Sequence, residues 1–264
     1  MSYYTEALSL LLKHVKNPHL VLLDKASLRK SPYTAALNNG LKIELRPLHG
    51  DRFGFFEVFL RGDYTGHGQQ IKEGDTVLDI GANIGCFSLF ASRLVGPTGR
   101  VIAVEPVEST FQQLQHNIAL NGADNITAKR CAISSETGST RLFVSENSLF
   151  SSMFRTVDQR QTSGDTEQVV ETTTLQHLAD EEGVGRFDYI KMDCEGAEHG
   201  ILGSLSAELG KRIDQLTIEM HEVPGRDLGN LHRHIERLGL SLRHGTVDQG
   251  AGVRYYSRTQ SAAA

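Results

Sequence analysis

Residues 75–94 read DTVLDIGANIGCFSLFASRL, and this stretch decides the architecture. "TVLDI" is an apolar run with Asp79 near its end. Gly81 and Gly85 then break the chain into a turn, and "CFSLFASRLV" resumes with helical character. The unit recurs downstream. "RVIAVE" is a second such strand, followed by "ESTFQQLQHNIALNG", an amphipathic helix closed by Asn-Gly. "NITAKRCAIS" reads as a third strand. "STRLFVS" and "EQVVETTTL" read as strands flanking a polar stretch, 146–166, that is loop-like and a candidate lid. "RFDYIKMDCEGAE" is a strand entering a turn, "ILGSL" opens a helix, and "RIDQLTIEMHE" is another strand. "LGNLHRHIERLG" is a helix, and "LSLRHG" with "VRYYS" makes a final strand pair, before an unstructured "SAAA" end. Strands alternating with helices imply an α/β fold, a parallel sheet with helices on both faces.

Upstream of this pattern, residues 1–70 form a different region, a cap of helix, turn ("NNG") and short strands preceding a main domain over 71–264. In the cap, Leu8, Leu11, Leu12 and Val15 follow i, i+3, i+4, i+7 and predict an amphipathic docking helix. A chain of 264 residues suffices for one large domain with such a cap. Net charge is −5, so no global basic field recruits nucleic acid or an anionic membrane. No apolar run approaches the roughly 20 residues of a membrane span. The N-terminus lacks the basic start and small-residue cleavage site of a signal peptide. The three cysteines, Cys86, Cys131 and Cys194, form no CxxC pair and fit a reducing compartment. A cytoplasmic protein is expected; neither oligomeric state nor acceptor is legible.

Ligands of such sheets bind beyond the carboxyl ends of the strands, at the switch in strand order. Asp79, Glu105, Asp193 and Glu219 each fall at or just after the end of an apolar strand. A dinucleotide fingerprint, GxGxxG, needs a glycine where this chain has Asn83, which disfavours close approach of a pyrophosphate and an NAD-dependent oxidoreductase. D-x-G-x-x-x-G suits a ligand with a nucleoside and an amino-acid portion but no phosphate, such as S-adenosylmethionine. On this reading Gly81 brings backbone against the ligand, and Gly85 permits close packing as the helix begins. Glu105, followed by Pro106, accepts hydrogen bonds from the ribose hydroxyls, and Ala132 lies where an adenine edge rests.

These motifs carry a resemblance. "VLDIGANIG", "VIAVEP", "FQQLQHNIALNG", "CAIS", "YIKMDCEGAE" and "LTIEMHE" stand in the order and spacing of the FkbM family of S-adenosylmethionine-dependent methyltransferases, over about residues 55–222. "IKMDCEGAE" is the most specific part; Met192 and Cys194 replace commoner aliphatics. The resemblance implies a Rossmann-like class I methyltransferase with a mostly parallel seven-stranded sheet. It implies O-methylation of a hydroxyl on a sugar, a polyketide or another secondary metabolite. By motif position Asp79, Gly81, Asn83, Gly85 and Glu105 become cofactor residues, and Asp193 the acid next to the reacting methyl.

Methyl transfer to a hydroxyl needs alignment and a proton acceptor. The candidate bases are Asp193, Glu195, Glu219 and His221. His221 is preferred because imidazole titrates near neutrality. Asp193 and Glu195 alternate, so an unbroken strand would turn only one of them to the pocket. Magnesium between Asp193 and Glu219 is the metal-assisted alternative. His232 and His234, i and i+2 on a helix, do not face each other and read as solvated surface. Lys191 is expected to support the strand or the neighbouring carboxylates. A non-catalytic S-adenosylmethionine-binding module is the remaining alternative.

Overall fold

The computed structural model describes residues 3–144, 166–245 and 252–258. Two helices, α1 (Tyr3–His14) and α2 (Pro18–Lys25), lead into a hairpin of β1 (Tyr33–Ala36) and β2 (Lys42–Leu45). The helix α3 (Asp51–Phe56) continues into a π-helical turn, Glu57–Arg61. The alternating part follows as β3 (Thr76–Ile80), α4 (Cys86–Val95), β4 (Arg100–Val104), α5 (Glu108–Asn121) and β5 (Ile126–Lys129). Next come β6 (Ala132–Ile133), β7 (Gly138–Val144), β8 (Thr166–Thr173), α6 (Leu175–Glu181), β9 (Tyr189–Met192), α7 (Glu198–Gly203) and α8 (Ala207–Gly210). The chain ends with β10 (Gln215–Met220), α9 (Leu228–Arg237), β11 (Leu240–His244) and β12 (Gly252–Arg258).

The central sheet has seven strands in the order β11-β12-β10-β9-β3-β4-β5. β12 runs antiparallel to both β10 and β11, and the remaining ladders are parallel. The order reverses between β3 and β9. From β3 the chain steps outward to β4 and β5, whereas β9 is followed on its other side by β10. A cleft opens at that switch point, where the strand termini diverge.

Successive side chains of a strand point to opposite faces, and the buried strands of this sheet sort their residues accordingly. Leu78, Ile80, Ile102, Ile190, Met192 and Ile218 join one core with α6, α7 and α9. Val77, Val101 and Tyr189 face the other way, into a core shared with α4 and the N-terminal segment through Leu11, Val15, Val21, Ile43, Phe55 and Val58. The cap expected over residues 1–70 is therefore packed as one face of the sheet's own core.

Several elements differ from the sequence expectation. The third strand is split: β5 pairs with β4, whereas β6 pairs with β8 in a separate three-stranded sheet, β6-β8-β7. The aromatic stretch from Phe53 to Leu60 is helical, with Phe55 fully buried. The helix α6 was not anticipated; the Thr174 side chain caps it by accepting from the His177 amide. The candidate lid, 146–166, lies outside the described residues except for Thr166, which opens β8, and so does the "SAAA" end. Among the described residues no helix is long and apolar enough to cross a membrane.

Candidate active site

The turn after β3 is built by left-handed backbone. Gly81 (φ 76°), Asn83 (φ 50°) and Gly85 (φ 90°) all have positive φ. A Cβ on Gly81 would stand 1.8 Å from the Asp193 carbonyl oxygen. Glycine is thus required there because the turns after β3 and β9 touch, and not through ligand approach alone. A Cβ on Gly85 would meet Leu114 Cδ1 at 2.6 Å, the close helix packing expected of it. Asn83 is one of the few side chains that tolerate this backbone region. Its amide donates to Glu105 Oε2 at 3.0 Å, and its own Oδ1 is buried without a partner.

Glu105 follows β4 and is buried at the cleft wall. Its Oε1 accepts the Val107 amide at 2.9 Å, so backbone amides from two loops hold the carboxylate in place. Burial pushes its pKa up to about 7, against the pull of those two amides. Pro106, which has no amide of its own, separates the anchors and lines the cleft. Beyond it Val107, Ala132, Ile133 and Leu142 give the cleft an apolar end. The cleft encloses about 980 Å³, including solvent at its mouth.

Asp79 sits elsewhere than expected. It is fully buried beneath the turn and absent from the cleft wall. Its Oδ2 accepts the Ser88 hydroxyl at 2.6 Å, and its Oδ1 lies 3.4 Å from Lys191 Nζ, across the β3–β9 ladder. Lys191 in turn donates to the Gly81 carbonyl at 2.8 Å. Burial works against the Lys191 ammonium, yet Asp79, Asp193 and Glu219 raise its pKa above the ordinary value. Asp79 and Lys191 thus brace the glycine turn from below.

The opposite end of the cleft is lined with acids. The strand β9 ends at Met192, and Glu195 adopts φ 51° before Gly196 (φ 100°). This turn breaks the strict alternation, so Asp193 and Glu195 both line the cleft. The hydroxyl of Tyr64, delivered by the loop after the π-helical turn, lies 2.8 Å from Glu219 Oε2 and 3.1 Å from Asp193 Oδ2. A phenol has one proton to give, so the second bond requires a proton on a carboxyl group. Glu219, pushed up to about 7 by burial and by Asp193, is suited to carry it. The Tyr64 hydroxyl thus lies between Asp193 and Glu219, the pair expected to hold magnesium.

His221, just past β10, pairs with two other glutamates. Its Nδ1 lies 3.0 Å from Oε1 of the fully buried Glu198, and its Nε2 lies 3.5 Å from Glu195 Oε2. Burial disfavours the imidazolium, but Glu198 and Glu195 outweigh it and raise the pKa to about 10. Held between two carboxylates, His221 is favoured in its protonated form, which counts against it as the base preferred from sequence. Glu195 is displaced in the useful direction: burial raises it to about 8, with His221 opposing.

The sequence reading missed Glu198 and the place of Tyr64, and it gave Lys191 only a supporting part. Strand parity carried a signal for one of them, since 79, 191, 193 and 219 share a face. Tyr64 had no local signal, because its partners are 129 and 155 positions away.

With this geometry in place, comparison with known proteins is decisive. The sequence profile of the methyltransferase FkbM domain matches residues 79–245. The chain belongs to the FkbM methyltransferase family. It is 29% identical over 217 residues, 73% of its own length and 83% of the relative's, to the 31-O-demethyl-FK506 methyltransferase FkbM of Streptomyces tacrolimicus. It is 25% identical over 238 residues to Methyltransferase 1 of Beauveria bassiana, covering 84% of this chain and 91% of that one. The solved structure of methyltransferase FkbM from Methylobacillus flagellatus superposes at TM-score 0.47 with 19% identity, over 80% of this chain and 56% of the other. Membership of a methyltransferase family removes the NAD-dependent oxidoreductase alternative.

Proposed function

We propose that this FkbM-family methyltransferase uses S-adenosylmethionine to O-methylate a hydroxyl of a small molecule, a sugar or a secondary metabolite. The observation that carries this reading is Glu105, a buried carboxylate fixed by the Asn83 and Val107 amides and facing a cleft with an apolar end. The residues present fit the cofactor. Glu105 would hold the ribose hydroxyls, Ala132 with Val107 and Leu142 would flank the adenine, and the orphaned Asn83 Oδ1 is an acceptor for an ammonium or amide hydrogen. When bound, S-adenosylmethionine supplies a methyl group on a sulfonium.

The acidic end of the cleft receives the acceptor. With the cofactor bound, a carboxylate at this end would hold the acceptor hydroxyl and take its proton as the methyl group is transferred. We assign that proton to Glu195, whose raised pKa matches a base working near neutrality. Asp193, held beside Tyr64 and Lys191, positions the hydroxyl. A secondary-metabolite acceptor is supported by the relative whose name gives 31-O-demethyl-FK506 as its substrate. The acceptor is taken as a small molecule in preference to nucleic acid because the chain is acidic overall. Cys86, Cys131 and Cys194 are all free thiols, in keeping with a cytoplasmic setting.

Calorimetry with S-adenosylmethionine and, separately, NAD tests the cofactor. Saturable binding of the first alone is expected, and its absence overturns the reading. Release of S-adenosylhomocysteine on incubation with hydroxylated glycosides and polyketides tests catalysis; binding without release from any of them returns the protein to a non-catalytic module.

A further inference from the structure

We propose that Gly54 and Glu57 select the acceptor: Gly54 leaves the room that a polyhydroxylated ring occupies, and Glu57 accepts a hydroxyl of that ring. The inference deepens the methyltransferase reading and rests on it.

The first observation is a glycine that the fold itself does not need. Gly54 stands inside α3 and does not have left-handed backbone. A helix interior is where glycine costs stability relative to alanine. Packing does not require it either, because a Cβ at Gly54 would have nothing within 4 Å among the described residues. At Gly81 and Gly85, by contrast, a Cβ would strike the Asp193 carbonyl and Leu114. Gly54 nevertheless lines the cleft, on one helix face with Asp51 and Val58, at i−3 and i+4. A side chain at this position would therefore project into the cleft and not into protein.

The second observation is Glu57, which opens the π-helical turn and also lines the cleft. Its carbonyl accepts the Gly62 and Asp63 amides, so the wide turn is held by its own backbone. Turns of this kind recur at functional sites. The side chain is only half committed. Glu57 Oε1 lies 3.2 Å from Arg61 Nη2, which also pairs with Asp63. Glu57 Oε2 has no hydrogen-bond partner among the described residues. Burial raises the Glu57 pKa, and Asp193 adds to it against Arg61, so Glu57 and Asp193 face one shared volume.

These groups define the occupant by its chemistry. An ionised carboxylate is an acceptor only. A mostly hydrocarbon acceptor seated over Gly54 would strip water from Glu57 and return no donor, which is costly. A ring with several hydroxyls gives one to Glu57 and presents another for methylation at the Asp193 end. The bare helix backbone at Gly54 lets the ring come close enough to make both contacts, and a long side chain there would prevent it.

The test takes the methyl glycosides of glucose, galactose, mannose and rhamnose as probes, with cyclohexanol as a ring of one hydroxyl, and reads S-adenosylhomocysteine release. Wild type should methylate at least one glycoside and prefer it to cyclohexanol by about tenfold or more in kcat/KM. Gly54→Leu brings in a good helix former and should melt no lower than wild type. It should still lose about thirtyfold or more in kcat/KM for that glycoside, with Gly54→Ala between the two. Glu57→Gln should raise the glycoside KM by about five- to tenfold with kcat little changed, and Glu57→Ala should raise it further. S-adenosylmethionine affinity, by calorimetry, should stay within about threefold in all these variants. Release from none of the glycosides overturns the inference, as does a preference for cyclohexanol. Wild-type kcat/KM in Gly54→Leu or in Glu57→Ala overturns it too, and so does a loss of cofactor affinity as large as the loss of kcat/KM. Should Gly54→Leu fail to fold, Gly54→Ala and the Glu57 variants decide. Cofactor binding with turnover of a hydroxylated polyketide alone would overturn this inference and leave the methyltransferase reading standing.

Discussion

The two ends of the cleft are made in different ways. The end formed by the β3 turn, Glu105 and Ala132 is local and held by backbone: amides of Asn83 and Val107 fix the one charged group, and the chain from 79 to 107 supplies most of it. The end formed by Tyr64, Asp193, Glu195, Glu219 and His221 is a side-chain network drawn from distant parts of the chain. A backbone-anchored site is defined once the strands pair. A side-chain network must also settle its protons, and several of its groups titrate near or above neutrality.

The largest effect should come where the two ends touch. Gly81→Ala would drive a methyl into the Asp193 carbonyl and strain a left-handed residue as well. A loss of roughly 3–5 kcal/mol in urea denaturation is expected, with both ends disturbed together. Near-wild-type stability would mean that the two turns are less tightly joined than this geometry requires.

Glu105→Ala should separate the ends. Each charged hydrogen bond contributes about 1.5–3 kcal/mol, so losing both ribose contacts should weaken S-adenosylmethionine by about a hundredfold or more, with the fold retained. Glu105 also makes stability depend on pH. Its pKa is raised by burial from 4.5 to about 7, so the folded protein holds this proton more tightly than the unfolded chain. Its stabilising contribution is present below the unfolded value and lost as pH rises through about 7. The ligand-free protein should therefore lose stability between about pH 5 and about pH 8, and Glu105→Gln should flatten that slope. An unchanged slope would show that Glu105 does not hold the proton.

Tyr64→Phe probes the other end. It removes the hydroxyl that lies between Asp193 and Glu219 and leaves two acids facing each other. Unfolding free energy should fall by about 1–3 kcal/mol, while S-adenosylmethionine affinity changes little. If cofactor affinity fell as far as in Glu105→Ala, the cleft would have to be treated as one network.

What the sequence showed of each end follows the same division. Asp79, Gly85, Glu105 and the parallel order were legible because local period and turn chemistry encode them. Even there the burial of Asp79 beneath the turn was not legible, since nothing local marks the bond to Ser88 or the pairing with Lys191. At the acidic end the named residues lie close together, but the sequence did not show their partners. The positive φ of Glu195 brought two acids to one wall, and Glu198, in a helix of its own, paired with His221. Such pairings are set by tertiary contact and have no periodic signature.

The smallest effect on the cleft concerns the helix α1, where period was legible and the face was not. Leu8, Leu11, Leu12 and Val15 have the spacing of a docking stripe, yet only Leu11 and Val15 are buried, while Leu8 is 43% and Leu12 59% exposed. Leu11 belongs to the core that also holds Phe55 and Val58, beside the π-helical turn that carries Glu57 into the cleft. Leu11→Ala should cost about 2–5 kcal/mol by transfer and cavity terms, whereas Leu12→Gln should stay within about 0.5 kcal/mol. Because α1 packs beneath the π-helical turn and makes no contact with Glu105 itself, Leu11→Ala should leave S-adenosylmethionine affinity unaltered under conditions where the variant remains folded. A cofactor defect in that variant would show that the packing beneath the π-helical turn reaches across the whole cleft.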